Sequence, residues 1–569
     1  MKINWVLKEK GDKKLIQELA TALNVNERIA GLLVDRGITN FEKAKEFFRP
    51  ELNMLHDSFL MKGMEKAIVR IEEAIEKKES VLIYGDYDVD GTTSVALVYS
   101  FFKNVFSKID YYIPDRYKEG YGISTAGIDW AADNNYSLVI ALDCGIKSVD
   151  KINYAKNKNV DFIICDHHLP GDVIPNAVAV LDPKQNNCNY PFKELSGCGI
   201  GFKLVQAFAA KNAIDFNELK PLLDFVVISI AADIVPIIGE NRVLAYYGLE
   251  QINNEELRPG IKSLVEVSGK KLPLTISDVV FGLAPRINAA GRIESGKQAV
   301  ALLISDSVQE ASAHGSGVNI NNTTRRELDQ NITEHAISMI ENDEVLQKRK
   351  STVVFDKDWH KGVVGIVASR LIEKFYKPTI VLTEAGGKIV GSARSVKGFS
   401  VYNAIEKCST YLDQFGGHKY AAGLTIKEGK LDEFIEAFEK EVASTILPEQ
   451  TIPCIEIDSE IDLEEIDSKF RRIIQQFEPF GPGNLSPVFK TSSVKDSGRS
   501  RVVGKDHLKL SLTHRGNSMA IYDGIAFQMG KVFENISSKP EFDIAYSIEE
   551  NHFNGRTSLQ LKIKDIKFD

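Results

Sequence analysis

Short apolar runs alternate with polar, helix-favouring stretches from about residue 80 onward. The runs are rich in β-branched residues, as buried strands are. They are SVLIYG (80–85), KIDYYIP (108–114), SLVIALD (137–143), VDFIIC (160–165) and AVAVLD (177–182). Between several of them lie stretches such as TTSVALVYSFFKNV and VDKINYAKNKN. This alternation predicts βαβ units on a mostly parallel sheet.

The rest of the chain shows other patterns. Residues 306–350 are polar, charged and largely free of proline, which predicts a long connecting helix, although Gly-Ser-Gly at 315–317 favours an interruption. A second α/β unit begins at STVVFDKDWHKGVVGIVASRL (351–371) and closes near LPEQTIP (447–453). Beyond it, PVFKTSSV, HLKLSLTH, SMAIYDGIAF, FDIAYSIEE and TSLQLKIKDIKF predict a small barrel of the OB type. The first 50 residues look helical.

The predicted fold class is therefore α/β. A parallel-sheet domain and a smaller α/β domain are joined by a long helix, and an all-β, OB-type barrel follows. The expected boundaries are 1–305 for the first domain with its N-terminal helical segment, 306–350 for the helix, 351–450 for the second domain and 451–569 for the barrel. A chain of 569 residues suits several domains of roughly 100–200 residues each.

Composition describes an ordinary globular protein, with 43% hydrophobic and 26% charged residues. We expect no signal peptide in MKINWVLKEKGDKK and no membrane span, because no run of 18 apolar residues occurs. Six cysteines without a CxxC pair are typical of a reducing cytoplasm. A net charge of −9 argues against coating of nucleic acid by the whole chain but permits a local basic groove.

The stretch YGDYDVDG (84–91) places Asp86, Asp88 and Asp90 at alternate positions. Carboxylates so close together repel one another unless a cation lies among them. An EF-hand calcium loop is excluded, because its twelfth position is Leu97 where a bidentate Glu is required, and because a strand precedes it.

Groups that can bind metal follow three of the predicted strands. They are Asp86, Asp88 and Asp90 after the first strand, Asp143 after the third, and Asp166, His167 and His168 after the fourth. Asp233 is a further candidate, since it interrupts the apolar segment FVVISIAADIVP, where an uncompensated charge is costly. Ligands of doubly wound sheets gather at the carboxyl ends of the strands.

Carboxylates and imidazole together suit Mg²⁺ or Mn²⁺. This many ligands can hold two ions about 3.5–4 Å apart, one activating a water and the other stabilising a leaving oxygen. Taken singly, Asp143 could be a helix cap and the two histidines a core pair. Their coincidence on one sheet edge favours a metal site.

Four motifs in order resemble the signatures of the DHH phosphoesterase superfamily: DYDVDG (86–91), LDCG (142–145), DHH (166–168) and AADIVP (231–236). Four further motifs extend the resemblance to its single-strand-specific 5′→3′ exonucleases: PRINAAGRI (285–293), GSARS (391–395), GGHKYAAG (416–423) and FEPFGPGN (477–484). The resemblance covers nearly the whole chain. It implies a DHH domain, a connecting helix, a DHHA1 domain and a nucleic-acid-binding OB-fold.

The resemblance also implies site residues. The implied metal ligands are Asp86, Asp88, Asp90, Asp143, His167 and Asp233. The implied catalytic residues are Asp88, Asp90, Asp143, His167, His168 and Asp233. His168 is expected to orient the scissile phosphate. Tyr84 stands where the related pyrophosphatases have a motif-I histidine.

Candidate groups for phosphate and DNA occur in three places. Near the first domain's strand ends and a predicted loop they are Arg116, Arg286, Asn288 and Arg292. In the second domain they are Ser392, Arg394, Gly417 and His418. In the barrel they are Arg499, Arg501, Lys505, Lys509 and Arg515. Basic barrel strands suit a phosphate backbone, although each arginine alone is an ordinary surface charge. The resemblance implies a pocket for the DNA 5′ end built from Arg116, an arginine of PRINAAGR, Ser392 and Arg394.

The expected function is single-stranded-DNA-specific 5′→3′ exonuclease activity that releases 5′-mononucleotides with two divalent ions, Mn²⁺ or Mg²⁺. We expect a cytoplasmic monomer acting in DNA repair and recombination, with single-strand-binding protein and a RecQ-type helicase as partners. One alternative is a phosphodiesterase of short oligonucleotides or cyclic dinucleotides. A second is a catalytically inactive binding protein on the same scaffold.

Overall fold

The computed structural model describes residues 3–254, 256–514, 517–539, 541–553 and 556–568. The chain forms two compact units. The first unit comprises Lys45–Arg325 and Glu478–Leu485, and the second comprises Met1–Ala44, Arg326–Phe477 and Ser486–Asp569.

The N-terminal segment contains one strand and three helices: β1 (Asn4–Leu7), α1 (Lys13–Leu23), α2 (Glu27–Val34) and α3 (Phe41–Phe48). Strand β1 pairs in parallel with Cys454–Ile457. The helical expectation missed this strand, because its partner is far away in sequence. For the same reason Met1–Ala44 belongs to the second unit, whereas the sequence placed it with the parallel-sheet domain.

The sheet of the first unit consists of the five strands predicted. They are β2 (Val81–Gly85), β3 (Ile109–Tyr112), β4 (Leu138–Leu142), β5 (Asp161–Cys165) and β6 (Ala179–Leu181). Their order is β3-β2-β4-β5-β6, and every pair is parallel. The chain moves outward in opposite directions from β2 and β4, so the topological switch point of the sheet lies between these two strands.

Helices pack on both faces of this sheet and on one another. They are α4 (Met64–Glu76), α5 (Val89–Phe102), α6 (Thr125–Asp133), α7 (Val149–Asn157), α8 (Gly197–Lys211), α9 (Leu223–Ala232), α10 (Gly239–Ile252), α11 (Pro259–Ser268), α12 (Ile276–Asp278), α13 (Ala284–Ile293) and α14 (Gly296–Leu303). Val81 and Ile83 belong to one buried cluster, and Leu82 and Tyr84 to the other. Burial on both faces explains the nearly continuous apolar runs. The PRINAAGR segment, expected near a loop, lies in α13.

A single helix of 34 residues, α15 (Val308–Glu341), follows, and then α16 (Glu344–Lys348). The interruption expected at Gly-Ser-Gly is wrong, because the helix continues through it. A Cβ atom at Gly315 would lie 2.1 Å from Ser263 Oγ. The glycine therefore permits close packing of the helix.

The second α/β part contains β7 (Thr352–Phe355), α17 (Val364–Phe375), β8 (Thr379–Ala385), β9 (Lys388–Arg394), α18 (Val401–Lys407), β10 (Leu412–His418), β11 (Ala421–Ile426) and α19 (Leu431–Thr445). The sheet order is β10-β11-β9-β8-β7. Only the β7–β8 pair is parallel, so the sheet is mixed.

The C-terminal part contains β12 (Cys454–Ile457), β13 (Ser459–Glu460), α20 (Ser468–Gln475), β14 (Phe489–Asp496), β15 (Arg501–Val503), β16 (His507–His514), β17 (Asn517–Ala526), α21 (Phe533–Ser538), β18 (Phe542–Phe553) and β19 (Arg556–Lys567). The order β14-β18-β19-β17-β16 closes through pairing of β14 with β16. The five predicted strands therefore form a closed, OB-like barrel, as expected.

Among the described residues, we find no helix with both the length and the apolarity needed to cross a bilayer. All six cysteines are free thiols, and five of them are buried.

Candidate metal centre and anion sites

The turn between β2 and α5 presents the first carboxylates. Asp88 caps α5 by accepting a hydrogen bond from Gly91 N at 3.0 Å. A Cβ atom at Gly91 would lie 2.4 Å from Asp86 O, so this tight turn requires glycine. Asp90 is held by the N-terminus of α8, since its carboxylate accepts from Gly197 N at 2.7 Å and Cys198 N at 2.8 Å.

Two other carboxylates lie at or beside left-handed backbone positions. Asp143, directly after β4, has a left-handed backbone with φ +57°. Ile234, next to Asp233, has φ +61° and is β-branched, which makes this conformation a clear outlier. Such strain persists only where the surroundings enforce it, and it concentrates at functional sites.

His167 lies at the centre of the carboxylates. Its Nε2 is 3.2 Å from Asp143 Oδ1, 3.6 Å from Asp233 Oδ2 and 3.7 Å from Asp90 Oδ2. Two sets of possible ligand atoms result, each within 4.8 Å: Asp143, His167 and His168, and Asp90, His167 and Asp233. The two sets overlap at His167, whose Nε2 can bind only one ion, so together they outline one ligand cluster in which only carboxylates can bridge two ions.

The electrostatics of the cluster favour a bound cation. Asp86 Oδ2, Asp143 Oδ1 and His167 Nδ1 are buried without a hydrogen-bond partner. Burial and then the charge of Asp90 hold the pKa of Asp143 well above its usual range, and burial raises the pKa of Asp233 to about 8. Buried, clustered carboxylates of this kind are stabilised in their charged form by a divalent ion. Oxygen and imidazole donors fit Mg²⁺ or Mn²⁺.

Asp166 is a functional residue whose role the sequence did not resolve. Its Oδ1 accepts His168 Nδ1 at 2.7 Å, and its Oδ2 accepts Ile146 N at 2.8 Å. Although burial opposes the charge on His168, this hydrogen bond raises the pKa of His168 to about 9. Asp166 therefore positions the His168 imidazole. The His168 side chain is 36% exposed, which leaves it accessible to a substrate. Only the hydrogen bonds distinguish this role from that of a ligand.

Asp86 and Tyr84 hold a neighbouring loop. Asp86 Oδ1 accepts Gly122 N at 3.3 Å, while the Tyr84 hydroxyl donates to Gly122 O at 3.0 Å and accepts Ser124 N at 3.1 Å. Burial and then the charge of Asp88 raise the pKa of Asp86. Neither Asp86 nor Asp88 belongs to the two sets described above, so their ligand roles stay predictions.

The predicted DNA-contacting residues of the first unit differ in their surroundings. The Arg116 guanidinium lies 4.8 Å from the centre of the Tyr87 ring. The positive charges of Arg116 and Arg292 both favour the ionised form of the Tyr87 hydroxyl. Arg286 donates to Gly282 O, Val267 O and Asn319 Oδ1, which gives it a structural role. Asn288 is half-buried on α13. DNA contacts by these four residues stay predictions.

Ser392, Arg394 and His418 share one face of the mixed sheet. In the register, Arg394 and His418 are both opposite Ala421, while Gly423 is opposite Ser392. A Cβ atom at Gly423 would meet only Gly391 O, at 4.0 Å. The backbone of Gly423 is therefore accessible on the face that carries the Ser392 hydroxyl, the Arg394 guanidinium and the His418 imidazole.

The N-terminus of α17 faces the same two β9 side chains. A Cβ atom at Gly365 would lie 2.9 Å from Ser392 Oγ and 3.0 Å from Arg394 Nη2. Arg394 Nη1 donates to Ser392 Oγ at 2.9 Å, and burial lowers the pKa of Arg394. A helix N-terminus beside a guanidinium and a hydroxyl suits a phosphate. Gly417 has φ +146° and permits the tight β10–β11 turn, so its DNA contact stays a prediction.

Basic side chains of the barrel line a cavity of about 410 Å³. Its lining includes Arg499, Arg501, Lys509 and Ser511, together with one carboxylate, Asp523. Arg501 lies directly opposite Lys509 across β15 and β16. Like charges in this position repel, so an anion between them would be stabilising. Lys505 is in an exposed turn, and Arg515 lies outside the described residues.

A parallel sheet with carboxylates and a histidine pair at its switch point is the arrangement of a DHH phosphoesterase. Residues 80–230 match the family described as DHH family, N-terminal domain. Residues 348–444 match the DHHA1 domain, and residues 457–565 match the RecJ OB domain.

The chain belongs to the RecJ family. It is 35% identical to the single-stranded-DNA-specific exonuclease RecJ of Bacillus subtilis over 99% of this chain and 71% of the relative. It is 33% identical to RecJ of Escherichia coli over 94% of this chain and 95% of the relative. A crystal structure of RecJ in complex with Mn²⁺ from Thermus thermophilus matches all of this chain and 80% of that one, with a TM-score of 0.85 and 25% identity.

Proposed function

We propose that this protein is a metal-dependent exonuclease that hydrolyses single-stranded DNA from its 5′ end and releases 5′-mononucleotides. The observation that carries the proposal is the cluster of carboxylates around His167 at the switch point of the parallel sheet. The names of the relatives at 33–35% identity, single-stranded-DNA-specific exonuclease, support the same substrate.

Asp90, Asp143, His167 and Asp233 are the residues best placed to hold divalent ions, Mn²⁺ or Mg²⁺. Asp86 and Asp88 are proposed as further ligands of the two ions. Bound ions of this kind supply an activated water and neutralise charge on the phosphate. The remaining catalytic roles are proposed for side chains of the protein itself.

His168 is the side chain proposed to contact the scissile phosphate. Because Asp166 accepts from its Nδ1, the imidazole keeps a fixed orientation and a pKa of about 9. In its protonated form it can donate a hydrogen bond from Nε2 to a phosphate oxygen. Charge-assisted hydrogen bonds of this kind stabilise developing negative charge.

Polarity is proposed to come from recognition of the terminal phosphate. Ser392, Arg394, His418 and the N-terminus of α17 offer donors suited to a phosphate with two or more free oxygens. Arg116 and Arg292 of the first unit are proposed as further DNA-contacting residues. An internal phosphodiester presents fewer free oxygens and less charge, so such a site favours a chain end.

The barrel is proposed to bind the continuing strand through Arg499, Arg501, Lys505 and Lys509. Backbone binding of this type tolerates sequence and weakens with salt. We propose a cytoplasmic monomer acting in DNA repair and recombination. Single-strand-binding protein and a RecQ-type helicase, which expose or present single strands, are its proposed partners.

The test uses purified protein with a long single strand, a matched duplex and a dinucleotide, each labelled at its 3′ end. We expect a ladder shortened from the 5′ end of the single strand only, abolished by EDTA and by Asp143→Ala. Cleavage of the dinucleotide alone would replace the proposal with a small-substrate phosphodiesterase. Binding of DNA without cleavage would leave a catalytically inactive binding protein.

A further inference from the structure

The FEPFGPGN motif has no role in the chemistry described so far. Its residues from Glu478 onward belong to the first unit, although the chain on both sides belongs to the second. We call Glu478–Leu485 the strap. It is internally fixed, since Gly481 N donates to Asn484 O at 3.0 Å and Asn484 Nδ2 donates to Pro479 O at 3.0 Å.

The strap binds the segment that follows Asp233. Ile237 N donates to Pro482 O at 2.7 Å. From the first turn of α10, Arg242 donates through Nη2 to Glu478 O at 2.9 Å and through Nη1 to Pro479 O at 3.5 Å. The strap is therefore fixed at its start and at Pro482 to the connection between α9 and α10 and to the first turn of α10.

Two strap glycines permit this close approach. A Cβ atom at Gly481 would lie 2.4 Å from Ile237 Cδ1, and Ile237 is completely buried. A Cβ atom at Gly483 would lie 3.0 Å from Ile238 Cγ2 and 3.4 Å from Pro236 Cβ. Side chains at these positions would push the strap away from residues 236–238.

Asp233 depends on its backbone for its position. Asp90 accepts hydrogen bonds from Gly197 N, Cys198 N and Ser229 Oγ. By contrast, the Asp233 carboxylate accepts no hydrogen bond from the described residues. It follows α9 directly and precedes Ile234, whose φ of +61° is strained and whose side chain is 67% exposed. Packing of its own side chain therefore does not enforce the conformation of Ile234, and the nearest anchored residues after it are Ile237 and Arg242.

We propose that the strap is a positioning element for Asp233. By fixing residues 236–242 through Ile237 and Arg242, it keeps the strained Asp233–Ile234 turn and holds the Asp233 carboxylate toward His167 and Asp90. The inference rests on the metal centre of the proposed function. Its consequence is that the strap sets the affinity of the ion held by Asp90, His167 and Asp233.

The test compares two glycine variants of the full-length chain. Gly483→Ala places a Cβ against Pro236 and Ile238. Gly429→Ala is the matched control, because Gly429 has a similar left-handed backbone (φ +68° against +74°) with nothing within 4 Å. Both substitutions introduce the same kind of backbone strain, and only the first reaches the segment after Asp233. Arg242→Lys is a second variant, which keeps the charge and loses the fork to two carbonyls.

Mn²⁺ dissociation constants are measured by the electron paramagnetic resonance signal of free Mn²⁺, with unfolding temperatures in EDTA recorded beside them. We expect Gly483→Ala and Arg242→Lys to weaken binding of one ion about tenfold, as loss of supporting residues does in metal sites. Gly429→Ala should bind as the unmodified protein does. Equal affinities in Gly483→Ala and Gly429→Ala would overturn the inference. If Gly483→Ala does not fold, unchanged affinity in Arg242→Lys overturns it. An unmodified protein that binds no Mn²⁺ would instead overturn the proposed function.

Discussion

The sheet edge of the first unit and the basic face of the barrel are both proposed to bind phosphate. The first would do so through metal ions held by carboxylates, and the second through positively charged side chains. At the sheet edge, like-charged carboxylates are clustered, Asp86, Asp90 and Asp143 are buried, and two of the ligand positions adjoin or adopt left-handed backbone. On the barrel, Arg499, Arg501 and Lys505 stand toward solvent on short strands and turns. Catalysis at one phosphorus atom requires side chains held in fixed positions, whereas binding of a flexible strand requires only positive charges near its phosphate backbone. Substitutions should therefore be severe at the first place and mild at the second.

The largest effect is expected from Asp143→Asn. Asp143 Oδ1 is the carboxylate atom nearest to His167 Nε2, at 3.2 Å. Loss of its charge should lower the single-turnover cleavage rate by about 10³-fold or more, an effect of the size seen when a preorganised charge is removed. Affinity for single-stranded DNA should change little. The exposed Asp172→Asn is the control, and cleavage by Asp143→Asn at the normal rate would contradict the site.

A smaller loss is expected from Arg394→Lys. The substitution keeps the charge but removes the planar fork that donates to Ser392 Oγ. We expect kcat/KM to fall about tenfold on a 5′-phosphorylated strand, the size of one weakened charged hydrogen bond. On a 5′-hydroxyl strand the change should be small. Arg472→Lys on α20 is the control, and equal losses on both substrates would exclude terminal-phosphate recognition.

The double substitution Arg501→Ala and Lys509→Ala in the barrel should reduce activity less than Arg394→Lys does. Each lost phosphate contact reduces the salt dependence of binding by about 0.7 in the log–log slope for single strands. We expect weaker binding of a long strand, with the cleavage rate at saturating DNA retained. Binding titrations at several salt concentrations measure this slope. An unchanged slope would mean that this face does not bind the backbone.

The smallest effect concerns stability against pH in EDTA. The pKa of Asp233 rises from 3.8 to about 8 on folding, so the folded chain binds this proton more tightly than the unfolded chain. The stability this provides is complete below about pH 4 and is lost as pH rises toward 8. The unfolding temperature should therefore fall by a few degrees between pH 6 and 8. Mn²⁺ should reverse the fall, and Asp233→Asn should reduce it without removing it, because the pKa values of Asp86 and Asp143 are also raised; a flat profile in the unmodified protein would contradict the raised pKa of Asp233.

Much of the fold followed from the sequence because its elements have local signals. The five parallel strands are visible as apolar runs since both faces are buried, and the barrel strands alternate since one face is solvated. Strand β1 could not be predicted, because four residues gain their pairing only from Cys454–Ile457. The helix through Gly315 was also missed, because close packing, and not propensity, explains the glycine there.

The site was predicted as a set of residues, and its organisation was not. Position after a strand indicated Asp143 and His167, because parallel strands end at one edge. The same signal could not separate a candidate ligand from Asp166, which is occupied by His168 and Ile146. Nor could it show that Asp90 is held by three hydrogen bonds while Asp233 relies on a distant strap. Such differences depend on contacts between residues far apart in the chain.

The most direct test of the central claim is a crystal of this protein soaked in Mn²⁺ and measured at the manganese absorption edge. We expect two anomalous peaks about 3.5–4 Å apart, the separation of two-metal sites, both next to His167. One should lie near Asp143 and the other near Asp233. Peaks elsewhere in the molecule with none beside His167 would contradict the claim that this sheet edge is the catalytic metal centre.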